Sequence, residues 1–259
     1  MSPSPSSAVP PARWWQSLIL AIQFLTRLPT PQLRSFHPEW LAASARWFAP
    51  VGLLLGSLLW LAVWLGGQYD PWLAALLGLL LWTGVTGGLH LDGLADLSDA
   101  MGAAHRSRER FFEVLKDPHV GSFGVIALIS ALISKLVLLM LLARQPAQLA
   151  GLLLVPAWAR LFALFWSATL PALAPGSGER FAWQPQWRVQ AISLLALLAL
   201  SVWLAPALLL APLAGLLWRS WLQRKLGGMT GDCLGAGIEV CEILLLGLLL
   251  IPLHHMHWL

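Results

Sequence analysis

Runs of about twenty apolar residues, separated by short polar stretches, make up most of this chain. A helix crossing a ~30 Å hydrocarbon core needs a run of about that length. Residues 47–66 and 72–91 form the first two, joined by a tight turn at Asp70-Pro71. Gly84, Gly87 and Gly88, near the end of the second, allow a close helix approach or an unwound end. Residues 123–143 and 148–170 form the third and fourth, and 238–252 the last, with Glu239 and Glu242 at its start. Residues 189–218 are too long for one ordinary span and are interrupted by Pro206 and Pro212. Residues 14–28 are apolar but shorter, with Arg13 before them and Arg27 inside their end, which predicts an interfacial or re-entrant helix. Residues 1–12, rich in Ser, Pro and Ala, read as a disordered tail ahead of a single membrane-embedded catalytic domain over 13–259.

The basic residues decide how the ambiguous run 189–218 is used. Arg13, Arg27, Arg34 and Arg46 precede the first span, and Arg106, Arg108, Arg110 and Lys116 follow the second. Arg180 and Arg188 follow the fourth, and Arg219, Arg224 and Lys225 follow the long run. If that run crosses twice, or dips in and returns, these thirteen face one side and only Arg144 the other. The positive-inside rule favours this arrangement, with the basic side cytoplasmic. The expected fold is therefore all-α: a polytopic helical bundle of about seven membrane segments, six to seven spans plus the interfacial N-terminal helix. Both polar stretches, 92–122 and 219–237, then share the cytoplasmic face.

Composition agrees. The chain is 58% apolar and 11% charged, against about 25% charged residues in soluble domains. Many of its 16 tryptophans flank the apolar runs, as an interfacial belt would. The net charge of +4 follows topology rather than forming a patch, so no nucleic-acid partner is expected. Cys233 and Cys241 form no ligand pattern with histidines and read as reduced, small apolar residues.

Candidate chemistry concentrates just after the second run. Six of the twelve acidic residues fall between Asp92 and Asp117. On a helix, Asp92, Asp96 and Asp99 lie at i, i+4 and i+7, within an arc of roughly 60°. Like charges so placed repel, so a divalent cation is a natural partner; a solvated acidic loop is the alternative. Nearby stand Arg110 and Lys116, then Gly121-Ser122-Phe123-Gly124 opening a helix, with Ser122 a plausible N-cap and backbone N–H groups suited to phosphate. Carboxylates for a metal beside donors for phosphate are the parts of a phosphoryl-transfer site. The second polar stretch repeats the theme with Thr230 and Asp232. Lys135 and Arg160 lie inside spans, where each either reaches a substrate phosphate or partners a buried carboxylate. His90 sits opposite the aspartate face, as a packing residue or a proton acceptor. His254, His255 and His257 suggest a metal cluster but read better as an interfacial tail.

The run Gly88-Leu89-His90-Leu91-Asp92-Gly93-Leu94-Ala95-Asp96 resembles the cobalamin (5′-phosphate) synthase family. The likeness continues through Lys116-Asp117, Gly121 to Gly124 and Gly227 to Ala236, with support at Phe24 to Pro29 and Arg46 to Phe48. Leu97-Ser98-Asp99-Ala100 and Ala49 depart from the usual pattern. The resemblance implies a Mg²⁺-dependent enzyme of the bacterial inner membrane acting late in cobalamin assembly, with adenosylcobinamide-GDP and α-ribazole or its 5′-phosphate as partners. A ribose hydroxyl would attack the cobinamide-side phosphorus and GMP would leave. It implies Asp92, Asp96 and Asp99 at the metal, one of them doubling as the base, with Asp232 completing the metal site. Arg110, Lys116, Gly121, Ser122, Gly124, Arg160 and Thr230 would then bind the nucleotide phosphates. A homo-oligomer is left open. Two rival readings stand beside this resemblance. The CDP-alcohol phosphotransferase pattern fails where Ala95 precedes Asp96, and a cation-coupled transporter should carry its acids at the bilayer midplane.

Overall fold

The computed structural model describes residues 12–33, 37–103, 107–174, 176, 179–180 and 185–251. The tail 1–11, Arg34, Arg106, His254, His255 and His257 lie outside the described residues. Among the described residues regular structure is helical, apart from one bridging pair, Ala172 and Met229. A short α1 (Trp14–Leu25) is followed by α2 (Trp40–Ser44), a 3₁₀ turn and α3 (Phe48–Gly67). Next come α4 (Pro71–Thr86), α5 (Leu89–Ala103), α6 (Arg108–Leu115) and α7 (Ser122–Ala143). A single turn α8 (Pro146–Leu149) and a 3₁₀ turn lead into α9 (Val155–Thr169). Then follow α10 (Trp187–Leu204), a 3₁₀ segment Pro206–Leu210, α11 (Ala211–Lys225) and α12 (Gly231–Leu249).

Four helical stretches are long and apolar enough to cross a membrane, or five if α4 and α5 count as one broken span. The expected count of about seven is reached only by adding α11, which is short, and α12, which carries three carboxylates. The second span departs from expectation. It ends at Thr86, because Gly87 and Gly88 adopt φ of +62° and +70°, and α5 leaves at 85° to α4. Left-handed backbone of this kind is open to glycine at little cost. Gly84, by contrast, faces open space and serves no close contact.

The turn between α3 and α4 is built as its sequence suggests. Asp70 Oδ1 accepts hydrogen bonds from the Trp72 and Leu73 amides at 2.7 and 3.2 Å, with Pro71 in the first helical turn. The stretch Pro146–Thr169, which ends in α9, is the centre of the bundle and is mostly buried, whereas α10 is mostly exposed. Gly52 and Gly56 let α3 lie directly on Ala157 and Leu153, so α3 and α9 run antiparallel. The long run 189–218 does reverse. Gln186 donates to the Ala42 carbonyl at one end of the bundle, while Ala205 lies beside Gly151 at the other. Arg219 then returns to the first end, donating to the Thr169 hydroxyl at 2.9 Å and its carbonyl at 3.1 Å. Apolar side chains such as Ile126, Ile129, Ile133, Ile192 and Leu195 stand exposed on the outer faces of α7 and α10, as hydrocarbon-facing helices require.

These contacts separate two glycines by their surroundings. A methyl group at Gly56 would strike the Leu153 carbonyl, whereas one at Gly84 would meet nothing within 4 Å. Gly56→Ala should lose about 1–3 kcal/mol through overpacking. Gly84→Ala should be neutral or up to about 1 kcal/mol more stable, since alanine is the better helix former. Thermal unfolding in detergent checks both, and a shift of the same sign and size for the pair would contradict the packing described.

Candidate functional site

The site forms where α5 meets the start of α12. Thr230 caps α12, its hydroxyl accepting from the Cys233 amide at 3.3 Å, and Asp232 falls in the first turn, where the helix dipole favours an anion. Two glycines set the approach. A Cβ at Gly93 would lie 3.0 Å from the Asp232 carbonyl oxygen, and one at Gly235 would lie 3.4 Å from the His90 Cα. Any side chain at Gly93 would push α12 away from the acidic face. The acidic run is helical, and its charges converge with that of α12: those of Asp92, Asp232 and Asp99 all bear on the Asp96 carboxylate. Asp92 and Asp96 form no ion pair among the described residues. The Asp232 carboxylate accepts a long contact from its neighbour, the Thr230 hydroxyl at 3.4 Å.

Asp99 is placed differently. Its carboxylate accepts from the Gly121 amide at 2.7 Å and the Gly124 amide at 2.8 Å, so it caps α7 from the neighbouring helix. The N-cap position belongs to Gly121, not Ser122. Both glycines are required by this contact, because a Cβ at either would fall against the Asp99 carboxylate. The amides expected to face phosphate therefore donate to Asp99. Ser122 itself lines an outer cleft of about 420 Å³ together with Asp99, Arg110, Asp117, His119 and Gly121. Arg110 is exposed there and pairs with Glu113 at 3.0 Å, and Lys116 ends α6 on the surface. The His119 ring, 2.7 Å away, and the His119 amide hold the Asp117 carboxyl below its usual range.

A second, more enclosed cavity of about 160 Å³ lies on the inner side of α5. Asp92 and Asp232 line it, together with His90 and the apolar side chains of Phe24, Phe48, Leu164 and Ile238.

Beneath the carboxylates sits a group of charges that only the assembled fold reveals. Lys135 Nζ lies 2.7 Å from Glu239 Oε2 and 2.6 Å from Glu242 Oε2, and Arg160 pairs with the other oxygen of Glu242. All four are buried. Lys135 also stacks over the Trp82 ring at 4.2 Å, and Arg160 Nη2 approaches His90 Nδ1 at 3.5 Å. Arg160, expected at a substrate phosphate, is thus committed to Glu242, and His90 is a buried neighbour of that pair. Sequence reasoning placed Glu239 and Glu242 at a span entrance, but α12 starts at Gly231 and carries both into the interior. A usable signal was present: two cations and two carboxylates inside apolar segments are equal in number. Phe24 and Phe48 stand in the blocks that support the family resemblance, but nothing in their hydropathy marked them as the wall of a cavity. The two cysteines are free and buried, as expected.

Whether a divalent cation suits the site can be judged from the donors. No three His, Cys, Asp or Glu among the described residues form a ready-made cage. Mg²⁺ does not need one, since it keeps several waters and typically binds one or two carboxylates plus substrate phosphates. Uncompensated Asp92 and Asp96, beside Asp232, are oxygen donors of that type.

The family model described as Cobalamin-5-phosphate synthase matches residues 17–250. A protein of Laribacter hongkongensis named adenosylcobinamide-GDP ribazoletransferase is 61% identical, over 91% of this chain and 96% of its own length. Proteins of the same name from Thiobacillus denitrificans and Novosphingobium aromaticivorans are 51% and 48% identical, each over 88% of this chain. They are covered over 92% and 93% of their own lengths. No solved structure matches.

The buried charges generate a prediction. Glu242→Gln leaves Arg160 unpaired and Lys135 half-paired, and breaking a buried pair in this way typically costs about 3–5 kcal/mol. The variant should unfold at clearly lower temperature in detergent, and Lys135→Met should behave similarly. Folded yield equal to the parent, with only substrate use impaired, would mean that these cations serve substrate instead.

Proposed function

The chain belongs to the cobalamin-5-phosphate synthase family, and from that premise we propose that it joins adenosylcobinamide-GDP to α-ribazole, or to α-ribazole 5′-phosphate, with release of GMP. The observation that carries this reading is the meeting of α5 and α12, which gathers Asp92, Asp96 and Asp232, none of them in an ion pair among the described residues. Membership in the family sets aside the transporter and the CDP-alcohol readings.

In the proposed reaction a ribose hydroxyl attacks the cobinamide-side phosphorus. A new P–O bond forms, the pyrophosphate P–O bond breaks, and GMP carries away the bonding pair. Asp92, Asp96 and Asp232 would hold Mg²⁺, and one of these carboxylates takes the hydroxyl proton. The bound cation supplies charge neutralisation at the phosphate oxygens, which is where most of the rate enhancement in phosphoryl transfer arises. Arg110 and Lys116, on the exposed α6 beside the outer cleft, draw the phosphates of the GDP moiety toward the site. Asp99 acts through α7, holding its first turn against α5. The substrates arrive from the cytoplasm, and the protein lies in the inner membrane with its basic face inward.

Two outcomes are expected. Asp92→Asn and Asp96→Asn should each reduce GMP release by ~10²-fold or more under saturating Mg²⁺, the scale of losing one preorganised electrostatic group. Without metal, both variants should be as stable as the parent or slightly more so, because each relieves repulsion on the α5 face. The assay uses purified protein in liposomes with adenosylcobinamide-GDP and α-ribazole; turnover within about threefold of the parent would remove the metal role. Cysteines placed beside Asp99 and Asp232, in a chain lacking Cys233 and Cys241, should label from the cytoplasmic side alone. Labelling of the two positions from opposite sides would end the single-site arrangement.

A further inference from the structure

The inner cavity is built for something other than phosphate. Its wall comes from α1, α3, α9 and α12 and is aromatic and aliphatic: Phe24, Phe48, Leu164 and Ile238. Phe24 and Phe48 stand with ring centroids 6.0 Å apart and planes 18° from parallel, offering flat apolar surface. The polar side chains of the lining are His90 and Asp92 on α5 and Asp232 at the start of α12. At about 160 Å³ the cavity compares with an apolar cavity of about 150 Å³ that accepts a benzene ring.

These properties discriminate among the chemical groups that the reaction brings together. Guanine carries donors and acceptors that an apolar wall would leave unpaired, at a cost of about 1–3 kcal/mol for each buried group. The corrin ring is far larger than the cavity. An acyl chain would fit the wall but gives no account of two carboxylates at the same opening. A flat, apolar aromatic base bonded to a ribose fits both ends at once.

Resting on the function proposed above, we infer that this cavity receives the aromatic base of α-ribazole, so that its ribose emerges beside Asp92 and Asp232. The base then sets the register of the attacking hydroxyl against the metal-binding carboxylates. The room in the cavity also decides which bases are accepted. Ala163 and Leu164 of α9 are the positions through which its size is set.

The test uses two substitutions of opposite effect, so that loss of folding cannot imitate the result. Ala163→Leu fills the cavity and Leu164→Ala enlarges it. GMP release is measured for the parent and both variants with α-ribazole and with the riboside of unsubstituted benzimidazole, and binding of α-ribazole alone is measured by equilibrium dialysis. The filled variant should bind α-ribazole ~10-fold or more weakly, the scale for one mismatched methylene group in an apolar pocket. Its preference should move toward the smaller base, while the enlarged variant moves the other way. KM for adenosylcobinamide-GDP should change less than twofold in each. Base preference unchanged in both variants, or a shift confined to KM for adenosylcobinamide-GDP, overturns the assignment of the cavity. A parent protein that binds α-ribazole in this variant-sensitive way yet releases no GMP would instead overturn the functional reading and leave the base site standing.

Discussion

Two positive and two negative charges sit inside a mostly apolar bundle, and their mutual neutralisation lets α7, α9 and α12 share one interior. None of the four would be tolerated there alone, since an unpaired charge in such surroundings is strongly unfavourable. The group also reaches α4 and α5. Trp82 of α4 lies under Lys135, just before the glycines where the chain bends into α5, and His90 at the start of α5 lies beside Arg160. The position of the acidic face therefore depends on ion pairs located deeper in the protein.

The site and its foundation treat charge in opposite ways. In the interior each carboxylate has a cation at hydrogen-bond distance. On the face above, Asp92 and Asp96 have none among the described residues, while Asp99 is drawn off to the first turn of α7. This contrast gives the aspartates separate tasks. Carboxylates left uncompensated beside a cleft are suited to a mobile cation, whereas one that accepts two backbone amides holds a helix in place.

Much of this was legible in the chain. Apolar run lengths gave the helical class, and the distribution of Arg and Lys required the 189–218 run to turn back, as Gln186, Ala205 and Arg219 now document. The i, i+4, i+7 spacing placed Asp92, Asp96 and Asp99 on one helical face correctly. Spacing along one helix says nothing about what a second helix brings, however, and so the capping of α7 by Asp99 was out of reach. Hydropathy also misplaced the start of α12, reading the last span from residue 238 although the helix begins at Gly231; Gly235 and Gly237 are small because His90 on one side and Trp166 and Trp218 on another press against them. The bend at Gly87-Gly88 was foreshadowed by its glycines, but only tertiary contact could fix its angle.

The interior charges also bear on how the protein is made. Lys135 and Arg160 belong to helices synthesised well before α12, which brings both of their carboxylates. During insertion each cation must enter hydrocarbon, or wait at its edge, without its final partner, against a penalty of about 2.5–3.5 kcal/mol at a helix centre. The apolar residues flanking Lys135 in α7 offset that penalty while the rest of the chain emerges. The interior closes electrically only when the last helix arrives, so a chain truncated before Glu239 would hold two orphaned cations, a natural mark for quality control to recognise.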